Sequence, residues 1–387
     1  MDSMPLIISD ETLRDGEQQA GLFFSADTKL ELAYRILETG VHHTDIMPVI
    51  HETEARVLRT LVQVKGPNRV VAATMLNIPS IDQAKACGAE QIILFYGISD
   101  RLLLLRDPEV SEKYKKGADV RQCTEQVRQN MLKDVAEHIS YATQRAGLKV
   151  IFAAEDASRT DYDLLVQCVR DFGPHIECFL LCDTVGALHP SEVKTWIEAL
   201  KKSDSSTQLG VHFHNDMGLA LENTIQGVLA GATMVSGTFT GIGERAGNAP
   251  LEQVLRGLRL RFGIEVDGIN YDRLQVVCDE LIRLNAHPAT PYSPEAQRHE
   301  TGIHLHALLE DLHSYYIFEC GVPEVWFGKC SGASNFKYLF ERILFEPLPK
   351  DMYSHMAARV KNLSITEQRS FAPNEIIALY RQGFFND

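Results

Sequence analysis

Two histidines two residues apart, His212 and His214, end an apolar run in the middle of the 387-residue chain. Side chains at i and i+2 of a β-strand share a face. The two imidazoles therefore project together from a strand's C-terminal end. Such a pair is half of a divalent metal site. A pair of satisfied structural histidines is the competing reading unless a hard oxygen ligand arrives from elsewhere. Asn215 and Asp216 follow, a helix opens, and a second apolar run leads into a glycine-rich polar turn, Gly241-Ile242-Gly243-Glu244-Arg245-Ala246-Gly247-Asn248. Far upstream another apolar run ends in Asp10-Glu11-Thr12-Leu13-Arg14-Asp15-Gly16-Glu17-Gln18. Asp15, His212, His214 and Asn248 together offer a mixed nitrogen and oxygen set suited to a divalent metal ion such as Mg2+, Mn2+ or Zn2+, with positions left for water or substrate. Arg14 can stabilise an oxyanion or grip a carboxylate. Thr184 can hydrogen-bond a carboxylate or simply cap its strand.

These residues need elements to carry them. Over the first 260 or so residues, short apolar runs alternate with amphipathic segments, the pattern of βα units and a parallel sheet. The runs predict strands near 6–9, 44–47, 69–75, 91–96, 149–153, 178–182, 208–213 and 234–239. Helical patterns lie between and after them, near 27–39, 52–64, 80–87, 121–146, 161–171, 190–202, 218–230 and 249–262. Eight strict repeats predict an α/β fold, a (β/α)8 TIM barrel over residues 1–265. A doubly wound open sheet is the alternative, but the GxGxxxG turn has the wrong spacing and place for a dinucleotide fingerprint. Polar residues gather where the apolar runs end: Asp45, His51 and Glu52 after the second, Glu155 and Asp156 after the fifth, Asp183 and Thr184 after the sixth. In a barrel this is the catalytic end.

Beyond residue 265 the alternation stops. Residues 266–387 read as a linker and a smaller, mostly α-helical region that contributes to the active site. Its features are a Pro- and His-containing stretch at 286–303, helical patterns near 271–285, 304–313, 332–344, 350–362 and 373–382, and an aromatic patch at Tyr315, Tyr316 and Phe318. One connection inside the barrel is long and mixed, residues 100–120. It reads equally as a lid or as a solvated excursion.

The net charge of −14 and the absence of a basic run argue against a nucleic-acid surface. A local cluster can still bind an anionic ligand. The eight cysteines are scattered without a CxxC pair and read as reduced thiols, so a cytoplasmic location is expected. The start of the chain lacks the features of a signal peptide, and no apolar run approaches ~20 residues, so no membrane span is expected.

Three motifs, ETLRDGEQ (11–18), HFHND (212–216) and GIGERAGN (241–248), resemble those of the acyl-CoA-condensing, metal-dependent TIM barrels, the 2-isopropylmalate, homocitrate and citramalate synthases. A weaker match continues through TGIH (301–304). The resemblance implies a Claisen-type condensation of acetyl-CoA, as co-substrate, with a 2-oxo acid. It implies that Asp15, His212, His214 and Asn248 hold the metal and that Arg14 stabilises the carbonyl or enolate. It also implies that Glu155 contacts the reacting groups, that Thr184 binds the substrate carboxylate, and that His304 and Tyr315 (or Tyr316) move protons. In the family that histidine and tyrosine reach a neighbouring subunit's site, which implies a homodimer. Two relatives by fold, a 3-hydroxy-3-methylglutaryl-CoA lyase and a 4-hydroxy-2-oxo acid aldolase, are the runner-up. The cysteine-free turn at 241–248 argues against the lyase. A non-catalytic binding protein is the remote alternative. The chain reaches residue 387 with no second βαβ-like module, so a leucine-sensing domain is not expected. His51, Glu52 and Arg101 suggest a polar pocket and hence a dicarboxylic substrate such as 2-oxoglutarate or oxaloacetate, whereas Leu102 to Leu105 suggest an apolar one.

Overall fold

The structure is a computed structural model and describes residues 2–315 and 323–386. Eight parallel strands close into a barrel: β1 Ile7–Asp10, β2 His43–Ile46, β3 Val70–Met75, β4 Gln91–Gly97, β5 Lys149–Glu155, β6 Cys178–Asp183, β7 Leu209–Phe213 and β8 Met234–Gly237. β1 pairs with both β2 and β8, which leaves no open edge. The open-sheet alternative is thereby excluded. All eight strands fall where the apolar runs predicted them.

Period-two alternation sorts each strand's side chains between two apolar compartments. Val71, Ile93, Ile151, Ala153, Cys178, Leu180, Cys182 and Met234 fill the barrel interior. The intervening residues, among them Ile92, Leu94, Phe152, Phe179 and Leu181, pack outward against the surrounding helices. Interior packing is tight at Gly210, where an added Cβ would lie 2.9 Å from Leu180 and 3.0 Å from the Cys178 sulfur. A side chain there would break the filled layer.

The helices begin on recognisable caps. Ser25 accepts from the Thr28 N–H at the start of Ala26–Glu38, and Asp161 does the same from Leu164 ahead of Tyr162–Phe172. The helix at Ile78–Ala86 is capped by Asn77, which accepts from the Ser80 N–H.

The 100–120 segment forms two short helices, Asp100–Arg106 and Pro108–Lys115, ahead of the long helix Val120–Ser140. Residues 102–104 and 110–111 are packed, whereas 112–117 are exposed to solvent. Leu103 and Leu104 join the barrel's outer core, while Leu102 enters a second apolar cluster with Leu305, Phe327, Phe336 and Phe340. That second cluster unites the helices after the barrel: Gly302–Leu308, Ala333–Lys337, Lys350–Glu367 and Pro373–Arg381. The region is mostly helical as expected, apart from one short parallel pair, Arg298–His299 with Glu324–Val325. Tyr271–Arg283, although past residue 265, contributes Leu274, Val277 and Leu281 to the barrel's own core. Tyr316 and Phe318 lie outside the described residues. Among the described residues no helix is long and apolar enough to cross a membrane.

The second region is fastened to the barrel by buried charge. Lys329 contacts Glu17 at 2.7 Å and Glu54 at 2.8 Å, and Lys29 contacts the same two carboxylates at 2.6 and 2.5 Å. All four side chains are at most 3% exposed.

Candidate active site

A cavity of about 640 Å³ opens at the C-terminal end of the barrel, roofed by residues 301–304 and 330–334. That size suits small-molecule ligands. His212 and His214 descend into it from the end of β7, and their Nε2 atoms face each other at 3.3 Å. Asp15, from the loop after β1, places Oδ2 at 3.9 Å from each. All three residues are buried, and their ligand atoms form one cluster.

The hydrogen bonds fix which imidazole nitrogens carry lone pairs. His214 Nδ1 lies 3.2 Å from the Gly247 carbonyl, which can only accept. The Ser236 hydroxyl donates to Glu11 and so accepts from His212 Nδ1, 3.0 Å away. Each Nε2 is thus unprotonated. Burial pushes the His212 ring down to about 4 and His214 well below its usual value, so both stay neutral. Burial alone would raise Asp15. The Arg14 guanidinium and the Asn248 amide outweigh it and hold the carboxyl far below the usual range.

Two lone pairs facing each other at 3.3 Å beside a carboxylate repel unless a cation lies between them. The triangle of sides 3.3, 3.9 and 3.9 Å has a centre about 2.1 Å from every corner, the bond length of first-row divalent ions to nitrogen and oxygen. The donor set therefore fits a divalent metal. Asn248 Nδ2 donates to Asp15 Oδ1 at 2.6 Å, while its own Oδ1 is buried with no partner among the described residues. A spare acceptor at this position fits a fourth ligand. Gly243 makes the approach feasible: with φ of 149°, it would put a Cβ 2.1 Å from Asn248 Nδ2 and 2.6 Å from Asp15 Oδ1. The turn is further pinned by Arg245, buried and paired with Asp216 at 2.8 Å.

Arg14 lies against the same cluster. Its Nε donates to Asp45 at 3.1 Å, Nη1 to Asp15 at 3.1 Å and Nη2 to Glu11. Each Nη retains a second N–H for the cavity. On the other side, Glu155 at the end of β5 accepts two bonds from Arg106, at 2.6 and 2.9 Å, and one from the Tyr315 hydroxyl. Burial would raise Glu155, but Arg106 and Tyr315 prevail and hold it at about 2. Burial raises the Tyr315 hydroxyl well above its usual value. His304 stacks on the Tyr315 ring at 3.9 Å, and its Nε2 lies 2.9 Å from Glu244. Its Nδ1 is buried without a partner among the described residues. Thr184 lines the cavity, and its hydroxyl accepts from the Asp156 N–H.

Two residues expected to bind substrate are placed elsewhere. The His51 side chain caps the helix Glu52–Lys65 by accepting from the Thr53 N–H. Arg101 is 45% exposed and pairs with Asp311. Neither lines the cavity. The leucines at 102–104 are likewise taken up by the two cores. Within the chain, His304 and Tyr315 stand over the mouth of its own barrel, beside Glu244 and Glu155. Sequence reasoning missed Arg106, which lies at the end of the 100–106 helix where an arginine reads as surface charge. It also missed that Glu244 would meet His304.

Residues 5–277 match the family model described as HMGL-like. The chain is 31% identical over 387 residues to a homocitrate synthase of Saccharolobus solfataricus, covering 97% of this chain and 77% of that protein. A homocitrate synthase of Saccharolobus islandicus is 30% identical over the same shares. Among solved structures, an HMG-CoA lyase from Brucella melitensis superposes with a TM-score of 0.57 at 18% identity, covering 72% of this chain and 98% of that one. At that identity the likeness is one of fold.

Proposed function

The chain belongs to the HMGL-like family, and from that premise we propose that it condenses acetyl-CoA with a 2-oxo acid in a metal-dependent Claisen-type reaction that releases CoA. The single observation that carries the reading is the juxtaposition of a divalent-cation cradle with a separate proton-transfer pair in one cavity. The homocitrate synthases matched along 97% of the chain support it.

Asp15, His212, His214 and Asn248 would hold the ion. When bound, it supplies Lewis-acid polarisation of the oxo-acid carbonyl. His304 is the base. With Nε2–H directed at Glu244, Nδ1 keeps its lone pair and is free to take a proton from the acetyl methyl group. Glu155, held at about 2 and occupied by three donors, is too weak a base for that task and instead positions Tyr315. The C–H electron pair moves into an enolate, whose methylene carbon bonds to the carbonyl carbon of the oxo acid. The carbonyl π pair passes to oxygen, where Arg14 donates to the developing charge. Thr184 offers a hydrogen bond to the substrate carboxylate. The alkoxide takes the proton held on His304; water then attacks the thioester and CoA leaves as the thiol with one of the water's protons, which makes the sequence irreversible.

Release of free thiol from acetyl-CoA in the presence of a 2-oxo acid tests the reading. Release is expected to require a divalent ion and to stop on chelation and dialysis. Cleavage of a 3-hydroxyacyl-CoA or a 4-hydroxy-2-oxo acid without any oxo-acid-dependent release would move the chain to the lyase branch.

Arg106 is a positioning residue in this scheme. Arg106→Gln strips Glu155 of its cation and frees Tyr315 to move. Displacing a catalytic group by about 1 Å costs roughly 10²-fold in rate. Turnover is expected to fall by that order while metal content stays at one ion per chain. Arg106→Lys keeps the charge without the two-pronged geometry and should recover only part of the loss. Equal losses of turnover and bound metal would contradict the assignment.

A further inference from the structure

The cavity has two sides of unlike chemistry. β7 and the loop after β1 supply the charged side, with His212, His214, Glu11, Arg14 and Asp15. β3 to β6 supply the other. There Met75 pairs in register with Phe95, Phe95 with Ala153, and Ala153 with Leu180. Register partners in a parallel sheet face the same way, so these four form an unbroken apolar row along the cavity wall. Cys182 extends it beside His212.

Two of the three cations that line the cavity already have carboxylate partners. Arg14 is matched by three carboxylates and Arg106 by Glu155. Lys361, on the helix Lys350–Glu367, has no carboxylate partner among the described residues, but its Nζ donates to the Ile50 carbonyl at 3.0 Å, on the loop after β2. The row itself carries no hydrogen-bond donor, so a carboxylate laid against these side chains alone would lose its hydration uncompensated, a penalised state.

Resting on the condensation reading, we propose that the 2-oxo acid carries an uncharged, apolar side chain, which lies along Met75, Phe95, Ala153 and Leu180 while its carbonyl and carboxylate face the cation site. The small residues Ala153 and Cys182 leave room for a branched or cyclic group. In this the chain departs from the relatives. Their named product, homocitrate, has three carboxylates and needs an oxo acid with a second one.

The test is a panel of 2-oxo acids in the thiol-release assay with the full chain. It would hold pyruvate, 2-oxo-3-methylbutanoate and phenylpyruvate against oxaloacetate and 2-oxoglutarate. The best apolar acid is expected to exceed both dicarboxylic acids by about 100-fold or more in kcat/KM. Ala153→Val narrows the row and should shift preference toward pyruvate by about tenfold. Lys361→Met should leave the ranking of acids unchanged. A dicarboxylic acid used as well as or better than every apolar one overturns the proposal and leaves condensation standing. If Lys361→Met then abolishes its use, the second carboxylate belongs on that lysine. Thiol release with no acid on the panel, together with cleavage of a 3-hydroxyacyl-CoA, removes the condensation reading and this proposal with it. The unsubstituted chain decides the main comparison, so poor folding of Ala153→Val would not leave it open.

Discussion

His212→Ala is expected to leave the cation site empty and to lower oxo-acid-dependent thiol release by at least about 10³-fold. Metal polarisation of a carbonyl contributes several kcal/mol to a transition state, and each ~1.4 kcal/mol is tenfold in rate. The variant removes one of two nitrogen donors that stand 3.3 Å apart, and Asp15 and His214 cannot close the triangle alone. Arg14→Ala separates binding from turnover. It takes a positive charge away from Asp15, Asp45 and Glu11, so the site should still take up its ion. Turnover should nonetheless fall by roughly 10²–10³-fold, the effect of losing one donor to a developing oxyanion. Metal content by elemental analysis, measured beside the thiol assay, checks both variants. Full activity in a metal-free His212→Ala protein would sink the scheme.

Lys329→Met is expected to be the most destabilising of the simple substitutions outside the cavity. It leaves Lys29 alone between Glu17 and Glu54, both almost fully buried. Removing one partner of a buried ion pair typically costs about 3–5 kcal/mol, because the remaining charge is stranded. The urea midpoint should drop accordingly. Residues 323–386 should become susceptible to protease first, since Lys329 is their contribution to the cluster. Lys113→Met, which breaks an exposed pair with Glu109, should not move the midpoint measurably. Acidity probes the same clamp. Burial would raise Glu54, but the two lysines hold it at about 2, below its usual 4.5. A carboxyl depressed on folding adds stability that is complete above about 4.5 and is lost as pH falls through about 2. Thermal melts from pH 5 downward should therefore show the C-terminal region loosening on the acid side. A midpoint that does not change over that range would speak against the clamp.

Most of the barrel could be read in advance because each strand is an apolar run bounded by a helix signal, and burial on both faces of a parallel sheet leaves that mark. The Asp15, His212 and His214 cluster was legible for a related reason. Strand ends at one side of a barrel converge, so residues that follow them are brought together. What escaped depends on partners distant in the chain. Lys29 sits in an amphipathic helix, where a lysine reads as solvent-facing until Glu17, Glu54 and Lys329 are seen around it. Arg106 closes a short helix in a stretch of mixed composition, and its target, Glu155, is 49 residues away. His51 looked like a site residue because it follows a strand, yet a histidine just before a helix can equally cap it, and here it does. Arg101 meets Asp311 at the surface, a contact that no local pattern announces.

The division of the site along the chain has a consequence for how it comes into being. Every group around the cation, from Asp15 to Asn248, precedes His304 and Tyr315 in sequence. Domains generally fold as they emerge during synthesis, N-terminal parts first. On the proposed reading, a nascent chain that has closed its barrel would be able to load an ion before the groups assigned to proton transfer have joined it. At that stage it would hold an oxo acid but lack the base assigned to the acetyl thioester. Competence would then arrive last, with the segment that also covers the cavity, so that acetyl-CoA would be activated only over a covered site.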